Sequence, residues 1–434
     1  DDMSPVARAE AAMPVGQRRV LLAATFLTPA LALVLPSGYS WGAGLLVLLG
    51  LMGLPGQLAA AHGLRAWPRP LRLWAATTAF MGLVCALHSY VDGQWLWSTI
   101  GLDRAVKYGL ALLALMALAR GLPSVEALRW GCWAGAAGAG LLGAWQWWSL
   151  DWERASGFTN AIQFGNLALL LAVWSWIGAR QAYSLSARAL GHGAALLVPL
   201  ACVASGSRGG WVVAPVLVLM VLLLDRPVSE HHGGGRWRRT LAILGLVTGV
   251  SLASLLVPQV QERVALAVKE VRDWQAIGEA HNSVGQRLEH WAMAWDIALE
   301  KPVLGWGQTA YEARKRERVE QGYVSSVLLD FNHAHHEWLD MFAKRGLLGV
   351  LALALFFGVP ASLYWQALRQ AAPRSVPSAV ALCGLVTVVG FVGFGMTQVM
   401  FAHNNANMVY LFMNLLWLAA LVTPPARPSA PPRP

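Results

Sequence analysis

The sequence predicts an all-α integral membrane protein of about twelve transmembrane helices, and three observations lead there. Of 434 residues, 56% are apolar and only 13% charged, against about 25% charged in average soluble domains. The apolar residues fall in stretches near the roughly 20 residues that span a bilayer. The arginines and lysines concentrate in alternate loops, as the positive-inside rule requires. A mean hydropathy of +0.48 also excludes disorder for the body of the chain.

The twelve stretches lie at 20–36, 40–54, 71–90, 103–120, 125–148, 162–180, 187–204, 208–225, 239–257, 346–368, 376–400 and 405–423. The second is short enough to be tilted or interfacial. Glycine and proline inside them are compatible with membrane helices. The first run follows Arg18-Arg19 and resembles a signal peptide, but eleven further runs favour an uncleaved helix. Asp1-Asp2 ahead of Met3 read as added residues. With the N-terminus inside, the inner segments hold 18 Lys and Arg. The short outer loops hold four, Arg104, Lys107, Arg154 and Arg208. That contrast predicts an N-in, C-in arrangement. It also excludes nucleic acid as a partner, because the arginines are topological anchors rather than one grouped surface.

The domain plan follows. Residues 1–19 form a cytoplasmic N-terminal segment, 20–257 carry helices one to nine, 258–345 make one large outer loop, 346–423 carry helices ten to twelve, and 424–434 are a Pro-rich, disordered tail. The large loop is nearly neutral, with 11 basic and 13 acidic residues. Within it, 283–300 places Leu288, Trp291, Trp295 and Leu299 on one stripe, which predicts an amphipathic helix lying on the bundle. Long loops of this kind are usually functional. The cysteines, Cys85, Cys132, Cys202 and Cys383, stand singly in apolar runs and read as packing residues.

Candidate chemistry gathers at the outer face. Arg208 stands in Ser205-Gly206-Ser207-Arg208-Gly209-Gly210, a tight turn between two spans. It reads either as a snorkelling arginine or as a guanidinium fork for phosphate oxygens. Arg287 opens the loop helix, where alone it would read as a solvated residue. Arg154 lies beside a glycine turn and could pair with Glu153 or Asp151. The densest constellation runs from Asp330 to Asp340 and holds His333, His335 and His336. Asn332 is a plausible N-cap there, which would set His335 in the first helical turn. The positive helix end disfavours an imidazolium, leaving the neutral form that a general base needs. A zinc site and a merely polar helix start are the competing readings. The zinc reading lacks a second ligand cluster. The outer loop near Pro36 to Trp41 has no Asp or Glu, so arginines rather than a metal would stabilise a phosphate leaving group. Neither metal nor cofactor is expected.

These residues resemble the bacterial O-antigen ligases, of a superfamily shared with O-antigen polymerases and protein O-oligosaccharyltransferases. The resemblance covers nearly the whole chain. Ser-x-Ser-Arg-Gly-Gly at 205–210 looks like the family's outer arginine motif, and Arg287 with Leu288 and Trp291 like its second arginine. Lys301-Pro302-Val303-Leu304-Gly305-Trp306-Gly307 resembles its Pro-x-x-Gly-x-Gly turn. His335-His336, nine residues, then Gly346-Leu347-Leu348-Gly349 resembles its histidine motif, with His336 where Asn, Ser or Gln is usual.

The resemblance implies a membrane glycosyltransferase of the GT-C type. The donor would be O-antigen polysaccharide on undecaprenyl pyrophosphate, and the acceptor a hydroxyl of lipid A–core. Transfer would run at the periplasmic face of the bacterial inner membrane, inverting, without ATP or metal. His335 would be the base. Arg208 and Arg287 would bind the pyrophosphate, with Arg154, His333 and His336 as further binding residues. Arg314, Lys315, Arg316 and Arg318 form a cluster that could dock core phosphates or simply be a mixed-charge helix face. A monomer is expected. The alternatives are an O-antigen polymerase, a protein O-oligosaccharyltransferase and, from another class, a polyprenyl-glycan transporter. Ionisable residues clustered at one face favour an enzyme over a transporter, which would place them near the midplane.

Overall fold

The computed structural model describes residues 13–59, 67–93, 102–118, 120–225 and 282–422, with scattered positions between 241 and 272. The described residues form helices and no strand. In chain order they are α1 (Val15–Ala30), α2 (Trp41–Ala59), α3 (Arg69–Val91), α4 (Leu102–Leu118), α5 (Val125–Trp148), α6 (Ala161–Ala179), α7 (Leu185–Ser205), α8 (Arg208–Leu224), α9 (Ser283–Glu300), α10 (Gly307–Glu320), α11 (Glu337–Gln370), α12 (Val376–Gly395) and α13 (Asn404–Leu421). Eleven of the twelve apolar stretches coincide with helices in this set. The ninth, 239–257, lies outside the described residues, as do most of 1–19 and the tail 424–434.

Six segments are long and apolar enough on their own to cross a membrane: Gly38–Pro55, Arg69–Val91, Ala161–Ala179, Leu185–Ser205, Glu337–Gln370 and Val376–Gly395. Gly209–Leu224 is a shorter apolar helix. Among the described residues, six of the expected twelve stretches thus qualify as spans on length and composition alone. The shortfall has physical causes. α13 carries Asn404, Asn405, Asn407 and Asn414 along an otherwise apolar sequence, and α4 opens with Asp103, Arg104 and Lys107.

α13 is the axis of the bundle, with Asn405 through Ala420 all buried. Asn414 and Tyr410 are satisfied within the bundle. Tyr364 Oη donates to the Asn414 carbonyl at 3.0 Å, Asn414 Nδ2 donates to Tyr410 O at 2.9 Å, and Tyr410 Oη donates to Phe356 O at 2.9 Å. Around it Phe356, Phe391, Phe401 and Tyr410 interlock with ring centroids 4.8–5.8 Å apart. Such pairs contribute roughly 0.5–1.5 kcal/mol each beyond the area they bury. Where there is no water to expel between helices, close packing of small residues substitutes for it. Gly140 and Gly143 of α5 let the Leu197–Ala201 turn of α7 approach backbone to backbone. All four cysteines are free, and three of them are buried.

The up-and-down path brings one set of helix ends to a common face. Lys107 of α4 reaches Asn404 Oδ1 of α13 at 2.7 Å. Asn160, capping α6, lies 3.3 Å from His403. Asp92, just past α3, accepts the backbone N–H of Gln308 at 2.5 Å and of Thr309 at 3.1 Å, so a carboxylate caps α10 from another element. These are the loops that charge counting sets on the outer side.

Two regions depart from expectation. In α9 the stripe Leu288, Trp291, Trp295, Leu299 is not the buried face. Trp295 is 49% exposed and Leu299 54%, while Glu289, His290, Met293, Ala294, Ile297 and Ala298 face inward. α9 has two apolar faces, and the one carrying Met293, Ala294, Ile297 and Ala298 fits the protein. Second, Asn332 is not the cap before α11. His336 is the N-cap, its Nδ1 accepting the Leu339 N–H at 3.3 Å. His335 therefore lies just outside the helix, in the left-handed conformation with φ 52°.

Candidate active site

The site is assembled from three segments: the 330–336 loop, the start of α9, and the 396–403 turn between α12 and α13. The loop is held from beneath by buried charge. Asp340 and Lys344, one turn apart on α11, pair at 2.6 Å with both side chains almost fully enclosed. Asp340 Oδ1 also accepts Ala334 N–H at 3.1 Å, and Lys344 Nζ donates to Asn332 O at 2.9 Å. Lys315 of α10 donates to Phe331 O. Buried ions are tolerable only when their remaining valences are met in this way. Glu337, also buried, accepts the Phe401 N–H at 3.1 Å and ties the 396–403 turn to the start of α11.

A second interlock sets the height of α11. Gly346 breaks the helix with φ 61° and ψ −160°, a combination open essentially only to glycine. The N–H groups this exposes are taken up by the turn at 301–307. Leu347 N donates to Pro302 O at 2.7 Å and Leu348 N to Val303 O at 3.2 Å, while Trp306 N donates to Ala343 O at 3.1 Å. The glycines of two sequence motifs, Pro-x-x-Gly-x-Gly and His-x10-Gly, thus meet at one joint.

The three histidines are held differently. His333 is buried, and burial, reinforced by neighbouring positive charge, pushes it down to about 2. His336 spends its Nδ1 lone pair on the helix cap. His335 is partly exposed, and its Nδ1 lies 2.9 Å from Gln398 Oε1. Burial lowers the His335 pKa, the Arg287 charge lowers it further, and Gln398 and Asp340 oppose. It is therefore neutral at neutral pH. His290, three residues after Arg287 on α9, turns its ring edge to His335 with centroids 6.3 Å apart, and burial pushes it down to about 3. His403, 5.7 Å from His333, is pushed down to about 4 by burial first, then by Arg104 and His335. Among the described residues no group of three His, Cys, Asp or Glu side chains is arranged to hold a metal ion.

Two arginine-bearing segments border the site. Arg287 enters from α9, whose cap Asn282 accepts the Gly285 N–H at 2.7 Å. The backbone of Arg208 is the first residue of α8. Ser207 Oγ donates to Asn166 Oδ1 at 3.0 Å, and Gly209 packs directly on Thr397, the neighbour of Gln398. Arg154 does not pair with Glu153 or Asp151; its Nε donates to Ser205 O at 2.8 Å, beside the same turn. The cluster on α10 is no open cationic patch. Arg314 and Arg318 bind Glu300 at 2.5 and 2.6 Å, and Lys315 is buried. Between α6, α7 and α8 runs an apolar groove of about 460 Å³ that reaches Cys202, Val203, Gly210 and Trp211, next to the Arg208 turn.

Inspection of the sequence singled out the arginines and the histidine triplet. It passed over Gln398, His403, His290 and Asp92. The signal for the first two was a polar interruption, Thr397-Gln398 and His403-Asn404-Asn405, at the joint between two apolar runs.

The fold and site define a multi-pass helical membrane protein with a cluster of histidines, His290, His333, His335 and His403, at one end of its bundle. Residues 193–354 match the family model described as O-antigen ligase, so this part of the chain is similar to that family. That stretch contains Arg208, Arg287 and all three histidines, and leaves Arg154 and Gln398 outside it. The chain is also similar to an uncharacterized protein of Haemophilus influenzae, 23% identical over 284 residues, which is 64% of this chain and 69% of the relative.

Proposed function

We propose that the protein transfers O-antigen polysaccharide from undecaprenyl pyrophosphate to a sugar hydroxyl of lipid A–core, at the periplasmic face of the bacterial inner membrane, as an N-in, C-in monomer with twelve spans. The observation that carries this is a neutral His335 beside Arg287, with Nδ1 hydrogen-bonded to Gln398 and, among the described residues, no hydrogen bond to Nε2. The acceptor hydroxyl gives its proton to His335 as its oxygen attacks the anomeric carbon. The bond from that carbon to the pyrophosphate oxygen breaks, and the charge left on the leaving group is met by Arg287 and Arg208, with Arg154 alongside. His333 and His336 shape the acceptor side. One displacement inverts the anomeric centre. No ATP is consumed, because the pyrophosphate ester already carries the driving force, and no metal is required. The groove beside α8 fits the polyprenyl chain, being almost wholly apolar and adjoining the arginine turn.

The test is purified protein with undecaprenyl-pyrophosphate O-antigen and EDTA, offered lipid A–core in one reaction and a second polyprenyl-linked glycan in another. Glycan on lipid A–core with inverted linkage by NMR supports the ligase. Elongation of the polyprenyl-linked glycan alone makes it a polymerase. Net retention contradicts the single displacement.

A further inference from the structure

We propose that Gln398 is a positioning residue that fixes the tautomer of His335, making Nε2 rather than Nδ1 the atom that accepts the proton; this rests on the general-base reading of His335. Gln398 lies in the turn after α12 and is only 2% exposed. Its Oε1 accepts the N–H of Val399 at 3.2 Å. A backbone amide can only donate, so the atom facing it is the carbonyl oxygen, and the orientation of the side-chain amide is settled. The same oxygen lies 2.9 Å from His335 Nδ1. An amide oxygen has no proton to give, so Nδ1 must carry one. In a neutral imidazole this leaves the lone pair on Nε2.

Turning the amide over would set its NH2 against the Val399 N–H. The contact with Val399 holds Gln398 in place. The groups around His335 do not compete for its ring. Arg287 and His290 face it from α9, His333 and Phe331 from its own loop, and His403 from beyond the turn. Asp340 is engaged by Lys344 and Ala334, and His336 by Leu339. Among the described residues, no hydrogen bond is made to His335 Nε2. A neutral acceptor at Nδ1 also has a chemical use. It orients the ring without adding a negative charge close to an anionic donor.

The test compares the full chain in nanodiscs with the variants Gln398→Leu, Gln398→Glu and His335→Ala. Transfer rate is followed against pH, and the ring nitrogens of His335 by 15N NMR, assigned by their loss in His335→Ala. The wild type should show a pyrrole-type Nδ1 and a pyridine-type Nε2. Gln398→Leu should mix the two tautomers and lower kcat by about tenfold or more with the donor KM little changed, since only transition-state proton transfer is impaired. Gln398→Glu should preserve the tautomer but place a carboxylate beside the ring. That raises its pKa, so the acid limb of the rate profile moves up by roughly one unit and the rate recovers as pH is raised. A pyrrole-type Nε2 in the wild type overturns the proposal. So do wild-type profiles in both Gln398 variants while His335→Ala is inactive. An active His335→Ala removes the general-base reading itself, a separate result. The NMR arm needs no turnover, so it decides the matter even if both Gln398 variants are inactive.

Discussion

Three histidines within four residues are given three different tasks by their hydrogen bonds. His336 spends a lone pair capping a helix, His333 is sealed in, and His335 keeps one nitrogen open. The spacing to Gly346 already singled out His335 in the sequence. Its backbone conformation was not legible, because the N-cap role passed to His336 rather than Asn332 and pushed His335 into a left-handed turn. Nor was Gln398 legible as its partner, since 63 residues separate them. Arg287 acts on this histidine in two ways. Its charge lowers the His335 pKa, and in the proposed mechanism it meets the leaving group. Arg287→Gln should therefore lower the transfer rate by about 10²–10³-fold. It should also move the acid limb of the rate profile to higher pH, because a histidine relieved of a neighbouring cation is protonated more readily and the base is lost sooner on acidification. A rate profile of the variant checks both. An unmoved limb would mean that the two side chains do not sense each other.

At the scale of elements, the joint between α11 and the 301–307 turn decides where the histidine loop stands. Its ingredients were visible as two glycine motifs, but not that the motifs touch. Gly346 is the sharpest test. A Cβ there would run into the Val303 carbonyl, and the backbone conformation excludes side chains in any case. Gly346→Ala should cost about 1–3 kcal/mol, read as a lower thermal midpoint, and should reduce transfer because the loop above it is displaced. Unchanged stability would show that the kink is not strained. The loop helix α9 teaches a related lesson. A periodic pattern reports which residues share a face, not what that face meets. Trp295 and Leu299 form a proper stripe, yet Met293, Ala294, Ile297 and Ala298 fill the protein side, where they pack in one cluster with Tyr311, Leu328 and Ala343.

For the whole molecule, hydropathy and charge recovered the helical class and the positions of the helices, since both follow from composition over long windows. Among the described residues six of the twelve stretches qualify as spans by composition alone, and the central α13 falls short because it carries four asparagines. The same enclosure stores a pH dependence. His290, His333 and His403 are held neutral down to about 3, 2 and 4. An imidazole in the unfolded chain takes up its proton near about 6.5. Between about 6.5 and 4 the unfolded state binds protons that the folded state does not, so acid favours unfolding. The thermal midpoint in detergent should fall by several degrees across that window, and less steeply in His290→Phe. A midpoint flat from neutral pH to 4.5 would show that these rings are not held neutral.

The account turns on one side chain. The most direct measurement is glycan transfer by purified protein with EDTA present, comparing wild type with His335→Ala, His333→Ala and His336→Ala on a product ladder. Transfer that withstands EDTA, falls by about 10²–10⁴-fold in His335→Ala and falls by clearly less in the other two is the predicted result. Undiminished transfer by His335→Ala would contradict it and move the proton acceptor elsewhere.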